Sequence, residues 1–553
     1  MRTEDGPGAT GGAKAAAATA PKSAPPTSTS ALAPFGHAAF AVLWTATVVS
    51  NIGTWMHDVA ASWLMTSLSP SPLMVALVQT ATTLPVFLFA LPAGALADII
   101  DRRKLLLAVQ AMAGVVAAAL GALVVLDRVT PVVLLVFTFL MGTGAAFVAP
   151  AWQAIVPKLV PREQLQPAVA LNSVGINLSR AVGPALAGLI IATVGTWLPF
   201  LLNALTFVCV VAALLWWRPP PAPQRNLPPE HLFGALRAGL RYVRASVPLR
   251  ATLARAVVFF VFASGYWALL PLIARELLGG GATLFGILLG CVGAGAVSGA
   301  MLLPNLRAVL GLDRLVAAGT VGTAATLLIF ALVRDPYVAA ATSLIAGASW
   351  IAVLSSLNVS AQTALPDWVR ARGLSVFVTV FFGSMSLGSV IWGQLASVFG
   401  IPSALLAAAA GALVTLPLSL RWRLGQGEAL DLAPSMHWPA PAVSGELAGD
   451  RGPVMVTVEY RVEPAQATAF LALMDELAGE RRRDGAYAWG LFEDAAEPGR
   501  FLESFLVESW LEHQRQHERV TNADADVQAG ARRFHLGEGG PIVQHFIAPT
   551  RRA

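Results

Sequence analysis

Between Ala38 and Trp422, 385 residues carry only 31 charged side chains, about 8%, whereas the 131 residues that follow carry 33, about 25%. A water-soluble domain needs close to 25% charge to cover its surface, so only the C-terminal part reads as an ordinary soluble domain. The rest reads as a body that uses lipid as its solvent.

Apolar stretches recur through that body. They are placed at 38–66, 73–97, 105–126, 132–155, 169–194, 197–217, 252–274, 282–305, 315–333, 338–363, 373–399 and 402–422. Crossing about 30 Å of hydrocarbon takes about 20 helical residues, so these are twelve spans. A transmembrane barrel is excluded because the runs are continuous and outlast the roughly ten alternating residues of a barrel strand. The expected fold is an all-α polytopic membrane protein with twelve transmembrane helices, plus a small α+β domain.

Residues 1–37, rich in Ala, Pro, Ser and Thr without an apolar run, are expected to form a disordered tail rather than a signal peptide. With the N-terminus inside, the tail and inner loops up to span twelve hold 18 basic residues and the outer loops three: Arg128, Arg275 and Arg334. Both termini are therefore expected in the cytoplasm, with the chain in the cell inner (cytoplasmic) membrane. Basic residues scattered in short loops give no footprint for nucleic acid. The two cysteines, Cys209 and Cys291, both lie in apolar segments and provide neither a disulfide framework nor a CxxC metal site.

The loop at 218–250 divides the body into halves, 38–217 and 251–422. After the helix-stopping Pro219, Pro220, Pro221 and Pro223, Leu232, Phe233, Leu236, Leu240 and Val243 share one helical face and Arg237, Arg241 and Arg244 another. This pattern predicts an amphipathic helix on the inner membrane surface. The halves echo one another. Gln153-Ala-Ile-Val-Pro157 returns as Gln362-Thr-Ala-Leu-Pro366, Gly53-Thr-Trp55 as Gly265-Tyr-Trp267, and Gly183, Gly188 and Gly195 return as Gly388, Gly393 and Gly400. Two parallel six-helix repeats imply a site near mid-membrane between the halves, opened alternately to each side.

The loop after span two reads Gly94-Ala-Leu-Ala-Asp98-Ile-Ile-Asp101-Arg102-Arg103-Lys104. It resembles the signature of the major facilitator superfamily, Gly-x-Leu-Ala-Asp-x-x-Gly-Arg-Arg-Lys, with Asp101 in place of the last Gly. Gly94 is expected to permit close helix approach, Asp98 to bond a helix N-terminus or an Arg, and the basic run to hold the loop at the inner face. Span five contains Gly183-Pro184-Ala-Leu-Ala-Gly188, similar to the superfamily's antiporter-associated motif, with Ser179 and Ala187 where that motif has glycine. Taken with Ser50-Asn51-Ile-Gly53-Thr-Trp55, Pro150-Ala-Trp152-Gln153 and Ala170-Leu-Asn172-Ser-Val-Gly175, the sequence resembles the enterobactin-exporter-like, or transmembrane secretion effector, branch. The resemblance implies a proton-driven exporter of small molecules such as siderophores, drugs or secondary metabolites. An importer of the same fold and a transporter fused to a C-terminal monooxygenase-like enzyme are the alternatives. The superfamily's fourth-helix Arg motif has no counterpart, since span four contains no Arg.

Asp58 and Arg180 are the charges placed deep in the spans, with Arg255 nearer an interface. A charge at that depth costs about 3 kcal/mol on insertion scales and should face a cavity or a partner. Asp58 shares a helical stripe with Asn51 and Trp55, so an interior-facing carboxylate able to exchange protons is expected. The alternative is a static Asp58–Arg180 ion pair. Arg180 is also a candidate for binding an anionic substrate group through its planar fork. His57 points about 100° away from Asp58, which disfavours a direct relay. Asn51, Trp55, Trp152, Gln153, Asn177, Tyr266, Trp267, Trp350, Gln362 and Trp392 are candidate walls of the substrate cavity.

After the linker at 423–452, the order of elements within 453–553 is βαββαβ: strands at 454–462, 486–493, 500–508 and 542–547, helices at 464–480 and 510–521. This predicts a ferredoxin-like fold, similar to the small dimeric antibiotic-biosynthesis monooxygenase domains, with a capacity for homodimerisation. His513 and His517 stand four apart on one helix, but no third ligand is evident nearby, so neither a metal nor a cofactor is expected.

Overall fold

A computed structural model describes residues 30–218, 232–438, 451–537 and 539–549. The tail before residue 30, the proline cluster of the central loop and residues 439–450 of the linker lie outside the described residues.

The first half comprises α1 (Ala38–Leu68), α2 (Pro72–Ile99), α3 (Arg102–Val125), α4 (Pro131–Ile155), α5 (Leu165–Thr193) and α6 (Trp197–Trp216). After α7 (Leu232–Ala245) the second half comprises α8 (Val247–Leu272), α9 (Ala282–Leu332), α10 (Pro336–Thr363), α11 (Arg370–Phe399) and α12 (Ile401–Leu420). Ten described helices are long and apolar enough to cross a membrane. The longest, α9 with 51 residues, is two spans joined at Gly311, whose φ of 72° and ψ of 172° interrupt the helix. Counting α9 twice and adding the shorter α12 gives the twelve expected passages. Side chains such as Met301 and Val414, more than three-quarters exposed, face the lipid.

Helix starts follow local chemistry. Thr130 and Asp335 accept from backbone amides of the first turn, and Pro131 and Pro336 fill the position whose N–H would lack a partner. Asp101 caps α3 through the Lys104 amide at 2.9 Å.

The glycines repeated at an offset of 205 do the same work in each half. A Cβ on Gly183 would lie 2.5 Å from Trp55 Cβ of α1, and one on Gly388 would lie 2.5 Å from the Val261 carbonyl of α8. Gly188 and Gly393 instead seat their helices on the opposite half, 2.7 Å from the Ala282 carbonyl of α9 and 2.4 Å from Ala76 Cβ of α2. Gly195 and Gly400 both take positive φ, 124° and 85°, just before the sixth helix of their half. Small residues let backbones touch where lipid offers no hydrophobic drive to association.

The C-terminal domain is a four-stranded antiparallel sheet, ordered β2-β3-β1-β4, from β1 (Val454–Arg461), β2 (Ala488–Glu493), β3 (Arg500–Val507) and β4 (Ile542–Ile547). Helices α13 (Ala467–Asp484), α14 (Trp510–Arg519) and α15 (Asn522–Arg533) accompany it. This is the expected ferredoxin-like arrangement with one addition. The second helical crossover is two helices, the extra one opened by a Thr521–Asp524 capping box. The helix-facing side of β1, Val454, Val456, Val458 and Tyr460, is buried. The opposite sheet face exposes Met455, Phe492, Leu502, Ile542 and Phe546.

The domain is fastened to the second half. Arg237 and Arg241 of α7 pair with Glu508 and Glu512 at 2.9 and 3.3 Å. Arg483 lies over the Tyr242 ring, Arg519 lies 4.5 Å over Trp368, and the Tyr242 hydroxyl donates to the Ala364 carbonyl at 3.1 Å. The amphipathic helix is present where the sequence places it, and it also forms the bed on which the soluble domain sits.

Candidate functional site

The two halves approach one another along the part of the membrane remote from the C-terminal domain. Arg275, at the end of α8, donates to Thr66 and Ser67 at the end of α1, at 2.9 and 3.2 Å. The Leu73 amide donates to Ser397 at 3.0 Å, and Thr80 donates to the Ser386 carbonyl at 3.3 Å. Deeper in, a Cβ on Gly293 of α9 would meet the Arg180 carbonyl of α5 at 3.0 Å.

At this junction α1, α5 and α8 bring together polar groups without partners. Arg180 lies with its guanidinium 5.8 Å from the Trp55 ring centroid, and its buried Nε makes no hydrogen bond. Tyr266 of α8, fully buried, comes within electrostatic range of Arg180, and apart from one another neither its hydroxyl nor the neighbouring Trp267 indole N–H has a partner among the described residues. One turn along α1 from Trp55 is Asp58, for which the described residues provide neither a hydrogen bond nor a cation. The expected alternative of an Asp58–Arg180 ion pair is not formed. Arg180 instead lies over the Trp55 ring, with Tyr266 of the other half within electrostatic range. Buried donors without acceptors are costly, which marks the cluster as a place for a ligand or water.

The other embedded charge is explained by structure. Arg255, 1% exposed, pairs with Asp313 and also donates to the Trp422 carbonyl at 3.3 Å. His57 faces away from the cluster, its ring edge-on to Phe200 of α6 at 4.8 Å, with both ring nitrogens unpartnered.

The candidate wall residues separate into groups. Trp55, Tyr266 and Trp267 belong to the cluster. Trp350, 5% exposed, extends it as an aromatic block, 5.3 Å from both Trp267 and Phe260. Trp392 is buried, its indole donating to the Val261 carbonyl at 2.6 Å, so it binds α11 to α8 rather than lining a cavity. Trp152 donates to Asn172 at 3.1 Å and links α4 to α5. Asn177 bonds the Ser173 carbonyl of its own helix, and Gln362 bonds Asn358. Gln153 is exposed and Asn51 half-buried.

In the motif loop, Arg103 donates to the carbonyls of Leu214 and Leu215 at 2.7 and 2.9 Å, tying α3 to the end of α6. Gly94 does not serve close packing: a Cβ there would meet nothing within 4 Å among the described residues. The side chain of Asp98 lies outside the described residues. In span five, Ser179, standing where the motif has glycine, donates to the Val48 carbonyl of α1 at 3.1 Å and replaces a bare approach with a hydrogen bond.

The family model described as transmembrane secretion effector matches residues 29–553. The chain belongs to this family. It is an integral membrane transporter of the major facilitator type. Among the transmembrane secretion effectors' curated relatives, the staphyloferrin A transporter of Staphylococcus aureus is 24% identical over 354 residues, covering 63% of this chain and 87% of the relative. The enterobactin exporter of Escherichia coli is 27% identical over 366 residues, covering 65% and 85%. Solved structures with the same fold include an inward-facing bacterial homolog of the human lysosomal transporter Spinster, with TM-score 0.55 and 14% identity over 69% of this chain and 96% of that one. The nucleoside transporter NupG aligns with TM-score 0.53 and 12% identity over 70% and 99%.

The soluble domain holds its own polar centre. Glu503, fully buried, accepts from Arg481 at 3.0 Å, Trp489 at 3.1 Å and Tyr460 at 3.3 Å. Burial, with the Asp524 carboxylate close by, pushes the Glu480 carboxyl up to about 9. Burial likewise raises Asp484 to about 6, opposed by Arg483. Sequence reasoning missed one juxtaposition here. His545 of β4 lies beside His513 and His517 of α14, their ligand atoms all within 4.8 Å of one another. Burial, reinforced by the neighbouring imidazoles, lowers His513 to about 3 and His517 to about 4. No local pattern marks the third imidazole, because the sheet brings His545 across from a strand 28 residues downstream of His517.

Proposed function

We propose that the protein exports a small molecule of the siderophore, drug or secondary-metabolite class from the cytoplasm across the inner membrane, by proton antiport and alternating access. Both termini and the C-terminal domain then lie in the cytoplasm, in line with the basic residues of the inner loops. The observation that carries the reading is the pairing of two unpartnered charges with the junction of the halves. Asp58 has no cation beside it, and Arg180 lies over Trp55 of its own half within electrostatic range of Tyr266 of the other. A carboxylate at membrane depth without a partner is suited to exchange protons. A guanidinium with a free N–H, bordered by aromatic rings, is suited to an anionic, ring-bearing substrate. Rocking the halves apart separates Tyr266 from Arg180, which couples occupancy of the site to conformation. The curated relatives named above carry or export siderophores, which supports the substrate class. The exposed apolar face of the C-terminal sheet supports homodimerisation through that domain.

Proteoliposomes with an imposed pH gradient test the coupling. Asp58→Asn is expected to abolish gradient-driven transport while leaving insertion and melting unchanged. Undiminished gradient-driven transport in Asp58→Asn would falsify the assignment. Uptake into the cytoplasmic compartment under the same gradient would make the protein an importer.

A further inference from the structure

We propose that His513, His517 and His545 form a binding site for one divalent d-block cation of the zinc class in the C-terminal domain. The geometry comes from two elements. His513 and His517 are one turn apart on α14, and the β1–β4 register sets His545 opposite Val456, on the sheet face that α14 covers. The rings of His513 and His545 are 4.8 Å apart, as are those of His513 and His517.

The distance between the Nε2 atoms of His513 and His517 is 3.3 Å. Two nitrogens bound tetrahedrally to zinc at about 2.05 Å lie roughly 3.3 Å apart, so this pair already has the spacing of coordinating ligands. The outer shell fits as well. Gln516, fully buried, faces His513 Nδ1 with its Oε1 at 3.3 Å. A proton on Nδ1 leaves the lone pair on Nε2, the nitrogen that faces His517. The Trp510 and Trp438 rings, 5.5 Å from His513 and 4.8 Å from His517, wall the cluster.

A fourth imidazole is close but engaged. His437 meets Ser435 Oγ with Nδ1 at 2.7 Å and Gln528 Oε1 with Nε2 at 3.1 Å, so it lies outside the ligand set. Arg481, whose charge reaches His513, is paired with Glu503. Three nitrogen donors without a carboxylate select against magnesium and calcium, which take oxygen ligands, and favour zinc, copper, nickel or cobalt. Three protein ligands leave a fourth position for water or another molecule.

Full-length protein in detergent, with any histidine tag removed and residual metal chelated away, tests the site by calorimetric titration with Zn²⁺. Titration with Co²⁺, followed by visible absorption, reads the coordination geometry. The expected result is one saturable equivalent and a tetrahedral cobalt spectrum. Binding should weaken about tenfold or more in His517→Gln and in His545→Gln, at least the cost of losing an outer-shell partner. His545 is only partly buried and sits on the edge strand β4, so His545→Gln should keep the metal-free melting of the parent and report on coordination alone. Absence of saturable binding overturns the proposal. So does one-to-one binding that both substitutions leave unchanged, since the ion would then be held elsewhere.

Discussion

The membrane body and the soluble domain both bury charge, but the domain, Glu480 apart, closes it into ion-pair networks, whereas the body leaves two charges without an ion partner. In the domain Glu503 accepts three hydrogen bonds, and Arg483 is shared between Asp484 at 3.2 Å and Asp524 at 2.5 Å. In the body Arg255 has an ion partner in Asp313, although its Nε makes no hydrogen bond, whereas Arg180 and Asp58 have no ion partner among the described residues. In either region, taking a charge out of water is costly. The missing partners at Asp58 and Arg180 therefore mark where stability has been given up for a task, whereas the closed networks hold shape.

Breaking a closed network should have the largest effect on stability. Arg481→Met leaves Glu503 buried without its cation and should destabilise the domain by about 3–5 kcal/mol, read as a lower melting transition of full-length protein. Next come the glycines at the boundary between halves. Gly188→Ala and Gly393→Ala each force a Cβ into the opposite half and should cost about 1–3 kcal/mol, with slowed transport. The matched intra-half change Gly388→Ala should cost a similar amount of stability, so a transport loss confined to the first two would separate gating contacts from packing. Arg180→Gln should barely move the melting transition, because no ion pair is lost, yet should remove substrate-dependent transport. A melting loss as large as that of Arg481→Met would erase the contrast between the regions.

The last effect is a slope with pH rather than a fixed loss. Glu480 holds its proton to about 9 in the folded domain, well above its ordinary 4.5. Between those values the unfolded chain releases a proton that the folded one keeps, so stability falls as pH rises. Glu480→Gln should remove that slope, melting higher than the parent at pH 8 and converging with it toward pH 5.

Most of the architecture was legible because its causes are local or periodic: apolar runs of membrane length, basic loops and a glycine pattern repeated at constant offset. The Gly311 break lies where the gap between spans eight and nine was expected, although the two are one nearly continuous helix. The site was half legible. Scarcity of charge pointed to Asp58 and Arg180, but only packing shows that they do not pair and that Tyr266 and Trp267 arrive from the other half. Gly94 was misread because a motif glycine does not disclose whether another helix lies against it. Trp392 was misread because its position in a span does not reveal that its indole bonds a backbone carbonyl. His545 and the α7 dock were out of reach for the same reason, being contacts across long sequence separations.

The seating of the soluble domain on α7 and Trp368 has a mechanical consequence. The domain, residues 423–438 and the second half share a set of anchors, among them Arg307 to Glu428 and the Leu424 amide to Asp313, and such a set favours movement as a single block. Relative to that block the first half is a lighter arm. An anti-domain nanobody or a second copy bound to the sheet would fix the frame and leave the swing free, whereas a wedge beneath α7 would stop it.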